Sequence, residues 1–474
     1  MAPHPPQIQI PQDLTVIQRL PSWLDQITTP LVEEVMPAEN RLINLLTTQY
    51  PAFEQTHPLQ PHVRKAMRLI TACHTPALGG HVACCPNGHI TRIVYNSCGH
   101  RFCPRCAGRK RRAWLLKRET TLLPVRHYHV VFTVSHAFNA LWRWNPRVLG
   151  DLLFHSAVDA LRALLADPRH LGAEPGITMT LETWNELMRL HPHGHCLVTG
   201  GGITPEGEWK DVPNPRCLVP VTPLMWEFRK RFCRGLEQAL RDERLTLPDE
   251  TTSRFWLNQL NRANRQKWEV FITPPPEDGG PTTANLARYL AQDVAGGPLS
   301  GDRLVPSPSD LSAAQLAYLK ASPLSVSRLE QATEETISFW YGVYDPATGR
   351  RDRNQIETLP VDVFLSRYLQ HVPPPRYQTV RHYGLYTSAK QAAYAHCRDL
   401  LADRQPPVAS EASVPDTVPE PDAWIEAHTC PVCGTPLVVT AYVASTRTGK
   451  VIPRVKIGHV FAHAPPTTGG THAP

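Results

Sequence analysis

The stretch GITMTLETWNELMRLHPHGHCLVTGGGI, residues 176–203, decides the fold. It holds two apolar, β-branched runs separated by a polar bend, and both runs read as strands. The second contains His191-Pro192-His193-Gly194-His195-Cys196-Leu197-Val198. Side chains alternate faces along a strand, so His191, His193 and His195 point the same way. Two neutral imidazoles spaced i, i+2 can share one divalent ion and leave positions open for phosphate oxygens. The apolar Cys-Leu-Val tail anchors the strand in a sheet, and Gly200-Gly201-Gly202 reads as its stop. A lone histidine in a strand is usually structural; three on one face point to chemistry.

Working outward, VRHYHVVFTVS (125–135) and WEVFITPPP (268–276) read as further strands. PRVLGDLLFHSAVDALRALLAD (146–167) and the basic-striped stretch 218–245 carry amphipathic helices, and TANLARYLAQDVA (283–295) reads as a helix after a Pro/Gly break. Residues 13–72 carry helical patterning, best in 38–50 and 62–72. The expected fold class is α/β: an antiparallel sheet with flanking helices, preceded by a helical and zinc-binding region. The expected divisions are a loose Pro-rich start (1–12), a helical and zinc-bound DNA-binding domain (13–122) and a catalytic domain (123–400). A linker (401–422), a small C-terminal CxxC module (423–463) and a disordered tail (464–474) follow.

The chain has 474 residues, 42% of them hydrophobic, and a net charge of +7, which weakly favours an acidic partner such as nucleic acid. No run approaches the ~20 apolar residues that span a bilayer. MAPHPPQIQIPQDL lacks the basic start and apolar core of a secretory signal. A cytoplasmic protein with no membrane partner is expected. Six of the twelve cysteines fall between Cys73 and Cys106, which in such a chain reads as metal binding.

Thiolates and imidazoles are what a structural zinc takes, four at a time. The candidate ligands are Cys73, Cys85, His89, Cys98, Cys103 and Cys106. Knuckles Cys85/His89 and Cys103/Cys106 can make one complete site; Cys73 and Cys98, with His81, Cys84 or His100, can complete it differently or make a second. Cys430 and Cys433, near His428, form half of another candidate site, with His459 and His463 as possible completions. The first cluster runs into Arg101, Arg105, Arg109, Lys110, Arg111 and Arg112, a density of cations suited to phosphate contacts. Arg350, Arg351, Arg353, Arg367, Arg376 and Arg381, interleaved with Tyr377, Tyr383 and Tyr386, read equally as a single-strand groove or as ordinary surface with core aromatics.

Two chemistries use a strand such as HPHGHCLV. HUH nucleases bind a metal through histidine–hydrophobe–histidine; histidine-triad nucleotide hydrolases use alternating histidines as nucleophile and acid without metal. A metal site needs a nucleophile, and Tyr289 on the 283–295 helix is a candidate, with Arg288 beside it. Asp293, one turn on, or Gln292 is a candidate third metal ligand.

Taken together, these motifs resemble the rolling-circle transposases of bacterial insertion sequences (the group numbered ninety-one), members of the HUH superfamily. The resemblance covers most of residues 60–400. It runs through TACHTPALGGHVACCPNGHITRIVYNSCGHRFCPRC, WLLKRETTLLPVRHYHVVFTVSHAFN, LETWNELMRLHPHGHCLVTGGGITPEGEW, LVPVTPLMWEFRKRF, LARYL and LPVDVFLSRYLQHVPPPRYQTVRHYGLY, in that order. It implies an HUH fold behind a zinc domain, and nicking and joining of single-stranded DNA at transposon ends. It matches the histidine pair to His193 and His195, holding Mg²⁺ or Mn²⁺, and the nucleophile to Tyr289, which forms a 5′-phosphotyrosine. Many relatives carry a second tyrosine four residues earlier; here Asn285 stands there, implying a single-tyrosine form. His89 takes the place of a usual cysteine, and AQDVAGGPLSGDRL replaces a usual basic, serine-rich run. The alternatives are a plasmid replication initiator or relaxase, a histidine-triad hydrolase, and a zinc-dependent DNA-binding protein with a dead catalytic site.

Overall fold

The two runs quoted first pair as one antiparallel hairpin, and a six-stranded sheet assembles around it. The computed structural model describes residues 16–17, 31–33, 41–106, 121–273, 329–345, 350–402 and 428–460. In chain order its strands are β1 (Val16–Ile17), β2 (Leu31–Glu33), β3 (Gly80–Cys84), β4 (Thr91–Tyr95), β5 (His127–Thr133), β6 (Glu174–Trp184) and β7 (Leu190–Ile203). Then come β8 (Trp209–Asp211), β9 (Val270–Thr273), β10 (Leu329–Ala332), β11 (Thr336–Asp345), β12 (Arg350–Pro360), β13 (Val380–Gly384) and β14 (Val438–Val443).

The main sheet has the order β13-β6-β7-β5-β9, with β8 on the far end of β7, and its pairings are all antiparallel. Period-two alternation separates its two faces. Tyr128, Val130 and Phe132 of β5, Ile177, Met179 and Leu181 of β6, and Cys196 and Val198 of β7 join one apolar core. The helices Pro146–Leu165 and Val221–Arg241 supply that core with Leu149, Leu153, Phe154, Phe228, Phe232 and Leu236. Phe132 meets Phe228 edge-on at 4.9 Å, a favoured aromatic geometry. The intervening residues Thr178, Thr180, Glu182, His127, His129, His193 and His195 therefore share the opposite face, and all are buried.

The glycine triplet does not stop β7, which continues through it to Ile203. A Cβ at Gly201 would lie 2.7 Å from the Lys210 carbonyl oxygen, and one at Gly202 2.5 Å from that of Glu174. Glycine here admits close backbone approach by β8 and β6 rather than a turn.

A second sheet has the order β1-β14-β3-β4-β2, and a third the order β10-β11-β12. The helical patterning expected from residue 13 is realised as the helices Arg41–Thr56 and Pro61–Thr71; before them, β-branched Val16–Ile17 and the Leu31–Glu33 run add as parallel edge strands. Leu42, Leu46, Phe53, Met67 and Ile70 of the helices share one core with Phe102, Cys103, Ile337, Phe339, Phe364 and Tyr368. A core thus crosses the boundary expected at residue 122. The C-terminal segment also joins the N-terminal region, because β14 pairs with β3 in antiparallel register, Val438 opposite Cys84 and Val443 opposite Gly80. No helix among the described residues is long and apolar enough to cross a membrane.

Candidate active site

The β6–β7 register sets Glu182 opposite His193 and Thr180 opposite His195. A tight connection fixes that register: Asn185 N–H donates to the Arg189 carbonyl at 3.1 Å, and Asn185 Oδ1 accepts from Leu187 and Arg189. His193 Nε2 lies 3.4 Å from Glu182 Oε2, and His195 Nε2 lies 3.8 Å from Glu182 Oε1. One ligand atom from each of Glu182, His193 and His195 falls within 4.8 Å of the others.

The outer contacts aim these rings. His193 Nδ1 is 2.7 Å from the His191 carbonyl. A carbonyl only accepts, so Nδ1 carries a proton and Nε2 is the ring nitrogen turned toward Glu182. His195 Nδ1 is 2.8 Å from His129 Nε2; with the proton on His195 Nδ1, its Nε2 likewise faces the carboxylate. Burial, then neighbouring His193, holds His195 well below the usual histidine range and brings His129 down to about 4. His195 and His129 are therefore neutral near pH 7, the form in which an imidazole binds metal. His191 turns to His136, Nδ1 to Nε2 at 2.7 Å, and stands outside the three-residue cluster. Two imidazole nitrogens and one carboxylate, buried and converging, are a donor set that fits a divalent cation.

Glu182 is the site residue that sequence reasoning passed over. The signal was present: on the arm TMTLETW it is the one acid, and it shares the parity of Thr178 and Thr180 on the polar face. Tyr289 and Asp293 lie outside the described residues.

The six candidate zinc ligands fall into two clusters, and the knuckle pairing Cys85/His89 with Cys103/Cys106 does not form. Cys73, Cys98, Cys103 and Cys106 make an all-thiol set, with Sγ–Sγ distances of 3.6 Å for Cys73–Cys106 and Cys98–Cys106. Zn–S bonds of about 2.3 Å place tetrahedral sulfurs about 3.8 Å apart, so these thiols already stand at zinc-ligand spacing. Cys85 and His89 instead gather with Cys430 and Cys433. The pairing cannot be read from spacing, because it depends on the β14–β3 contact across the chain. Cys84 points elsewhere, its Sγ 3.5 Å from Thr91 Oγ1 and 3.4 Å from Thr440 Oγ1.

The family model described as "Transposase zinc-binding domain" matches residues 45–134, and the one described as "Putative transposase" matches 176–316 and 312–393. A relative named "Putative transposase y4qJ", from Sinorhizobium fredii (strain NBRC 101917 / NGR234), is 32% identical over 397 residues, covering 81% of this chain and 90% of its own. The chain belongs to the transposases of the insertion-sequence group numbered ninety-one. The "Transposase for insertion sequence element IS801" of Pseudomonas savastanoi pv. phaseolicola is 25% identical over 389 residues, covering 79% of this chain and 82% of its own. No solved structure matches. A transposase of this family acts on DNA, and its zinc-binding region contains the all-thiol cluster.

The transposase's described cations and aromatics make the following contacts. Arg105 Nη1 donates to the Cys73 carbonyl at 2.7 Å, and Arg101 Nη2 to the Pro374 carbonyl at 3.4 Å, so both brace the zinc knuckle. Arg109, Lys110, Arg111 and Arg112 lie outside the described residues. Tyr377 is buried, Tyr386 Oη sits 2.7 Å from His127 Nε2, and Arg381 stacks over Phe154 while bonding Asp151. Those groups are core and brace, not a stacking groove. A cavity of about 470 Å³ instead gathers Arg64, Lys65 and Arg68 of the 61–71 helix with Arg447.

Proposed function

We propose that this transposase cuts and rejoins single-stranded DNA at the ends of its element, using a metal-assisted tyrosine nucleophile in a rolling-circle scheme. The observation that carries this reading is the buried Glu182–His193–His195 cluster on the polar face of the main sheet. These three residues would hold Mg²⁺ or Mn²⁺, with Asp293 a further ligand; the ion, when bound, polarises the scissile phosphate and offsets its growing charge. His191 and His129 orient the two imidazoles. Tyr289 attacks phosphorus. Its phenolic oxygen bonds to the 5′ phosphate, the P–O3′ bond breaks, and the proton lost by tyrosine balances that gained by the departing 3′ hydroxyl. Because the phosphotyrosine keeps a diester bond, the 3′ hydroxyl of another end can attack it and restore the strand.

The test is a labelled single-stranded oligonucleotide carrying the element end, incubated with Mn²⁺ or Mg²⁺. The unaltered protein gives a covalent protein–DNA adduct, and Tyr289→Phe gives none. An adduct of undiminished yield in Tyr289→Phe would remove that residue from the scheme.

The basic run Arg109–Arg112 and the cleft of Arg64, Lys65, Arg68 and Arg447 supply backbone contacts in this reading. Each neutralised phosphate contributes about 0.7 to the log–log salt slope for a single strand. The triple variant Arg64→Gln/Lys65→Gln/Arg68→Gln is expected to flatten that slope by about 2 and weaken binding across unrelated sequences. Fluorescence anisotropy against a salt series reads both; an unchanged slope places the DNA elsewhere.

A further inference from the structure

We propose that Cys85, His89, Cys430 and Cys433 form a second zinc centre, a clasp that fastens the C-terminal segment onto the N-terminal β3–β4 hairpin. The four ligand atoms lie within 4.8 Å of one another. Cys85 Sγ is 3.6 Å from Cys433 Sγ and 3.7 Å from His89 Nδ1, and Cys430 Sγ is 3.8 Å from the same His89 nitrogen. Those separations match the edges of a tetrahedron built on Zn–S bonds of about 2.3 Å, about 3.8 Å for sulfur pairs and slightly less for sulfur–nitrogen pairs. Cys₃His is a closed structural set with no position left for substrate.

A second observation is independent of the ligand distances: each half of the site is a tight glycine-containing turn closed between a cysteine and the residue five positions on. In Cys85-Pro86-Asn87-Gly88-His89, the Cys85 N–H donates to the Ile90 carbonyl at 2.9 Å and Gly88 N–H donates back to the Cys85 carbonyl at 2.9 Å. In Cys430-Pro431-Val432-Cys433-Gly434, the Cys430 N–H donates to the Thr435 carbonyl at 2.9 Å and Gly434 N–H donates back to the Cys430 carbonyl at 2.9 Å. Gly88 at φ 74° and Gly434 at φ 67° occupy the left-handed region that each turn requires. Two related knuckles, each opening with Cys-Pro, bring three thiols and one imidazole to one point.

The surroundings hold the halves in register without metal doing all of it. Ala83, Cys85 and Ile90 pack with Cys430, Leu437 and Val439 in one small core. Beyond β14, Ser445 Oγ donates to the Ala77 carbonyl at 2.6 Å, and Asn96 Nδ2 donates to the Ile452 carbonyl at 2.9 Å. So small a core needs a staple, and a structural metal can supply one. The clasp also sets Arg447, on the turn after β14, against Arg64, Lys65 and Arg68. The segment that carries Cys430 and Cys433 thereby becomes part of the cationic cleft.

The experiment counts zinc and probes thiols on the full chain. Elemental analysis of the unaltered protein, purified with zinc present, is expected to give two zinc ions per chain, and Cys430→Ser/Cys433→Ser one. Cys217 and Cys433 are both exposed, and Cys217 belongs to neither cluster. A maleimide reagent read by peptide mass spectrometry should label Cys217 at once and spare Cys433 until a chelator is added, after which Cys433 labels at least tenfold faster. The alkylation arm needs no variant, so misfolding of the double substitution leaves it valid. One zinc in the unaltered protein, two in the double variant, or Cys433 labelling as fast as Cys217 in zinc-loaded protein overturns the clasp.

Discussion

Glu182→Gln is expected to lower metal-dependent cleavage by roughly 10²- to 10³-fold, the consequence of losing ~3–4 kcal/mol of charge stabilisation at the phosphate. The substitution keeps shape and removes charge. Glu182 is 4% exposed, between Nε2 of His193 at 3.4 Å and Nε2 of His195 at 3.8 Å. An amide oxygen is a far weaker ligand for a hard cation than a carboxylate. Stability should move in a telling way. Without metal, the variant no longer buries a carboxylate on the polar face of the sheet, so its melting temperature should match or exceed that of the unaltered protein. With metal at 100 times its dissociation constant, the unaltered protein gains about 2.7 kcal/mol and the variant gains little. Differential scanning calorimetry with Mn²⁺ and with chelator separates the two effects. Cleavage within threefold of normal, together with an undiminished metal-induced rise in melting temperature, would place the cation elsewhere.

That prediction rests on a residue the sequence displayed without naming. The strand character of 176–203 and the shared face of His193 and His195 follow from period-two alternation, which local sequence encodes directly. Glu182 needed one step more, the register of a hairpin whose connection contains a bend at Asn185–Arg189 and an irregularity between Glu182 and Trp184. Ligand types in the cysteine clusters were equally legible, because thiols and histidines at knuckle spacing have few other uses. Their partition was not: Cys85 and His89 find their partners at Cys433 and Cys430, 348 and 341 residues away. Composition misled where it carried no register. The glycines at the end of β7 look like a stop but serve close strand approach, and the arginine–tyrosine interleaving of 376–386 reads equally as a groove or as surface with core aromatics. The fold lays Arg381 of β13 over the Phe154 and Tyr377 rings and bonds it to Asp151.

Cys103→Ser is expected to cost the N-terminal layer its cooperative unfolding, a far larger loss than its side-chain change accounts for. Cys73, Cys103 and Cys106 sit in the same core as Leu42, Met67, Phe339 and Tyr368, so the all-thiol centre is welded into packing that spans the helices and the β10–β12 sheet. Packing alone predicts a modest effect: a buried serine hydroxyl without a good partner costs about 1–3 kcal/mol. Zinc predicts a large one, since structural zinc supplies about 10–16 kcal/mol of apparent free energy in isolated zinc-finger peptides, as much as a whole domain's net stability of about 5–15 kcal/mol. The two causes separate in a cycle of variant against chelator. If zinc dominates, chelation and Cys103→Ser each abolish the cooperative transition, and adding chelator to the variant changes little more. If packing dominates, chelator leaves the unaltered protein's transition in place and the serine costs the same small amount with or without it. Cys217→Ser, exposed and outside both clusters, should stay within about 0.5 kcal/mol of normal. Near-ultraviolet circular dichroism through thermal unfolding, read beside zinc content, decides the matter: a zinc-free chain that still melts in one sharp transition at the original temperature would reduce the thiol cluster to four well-packed cysteines.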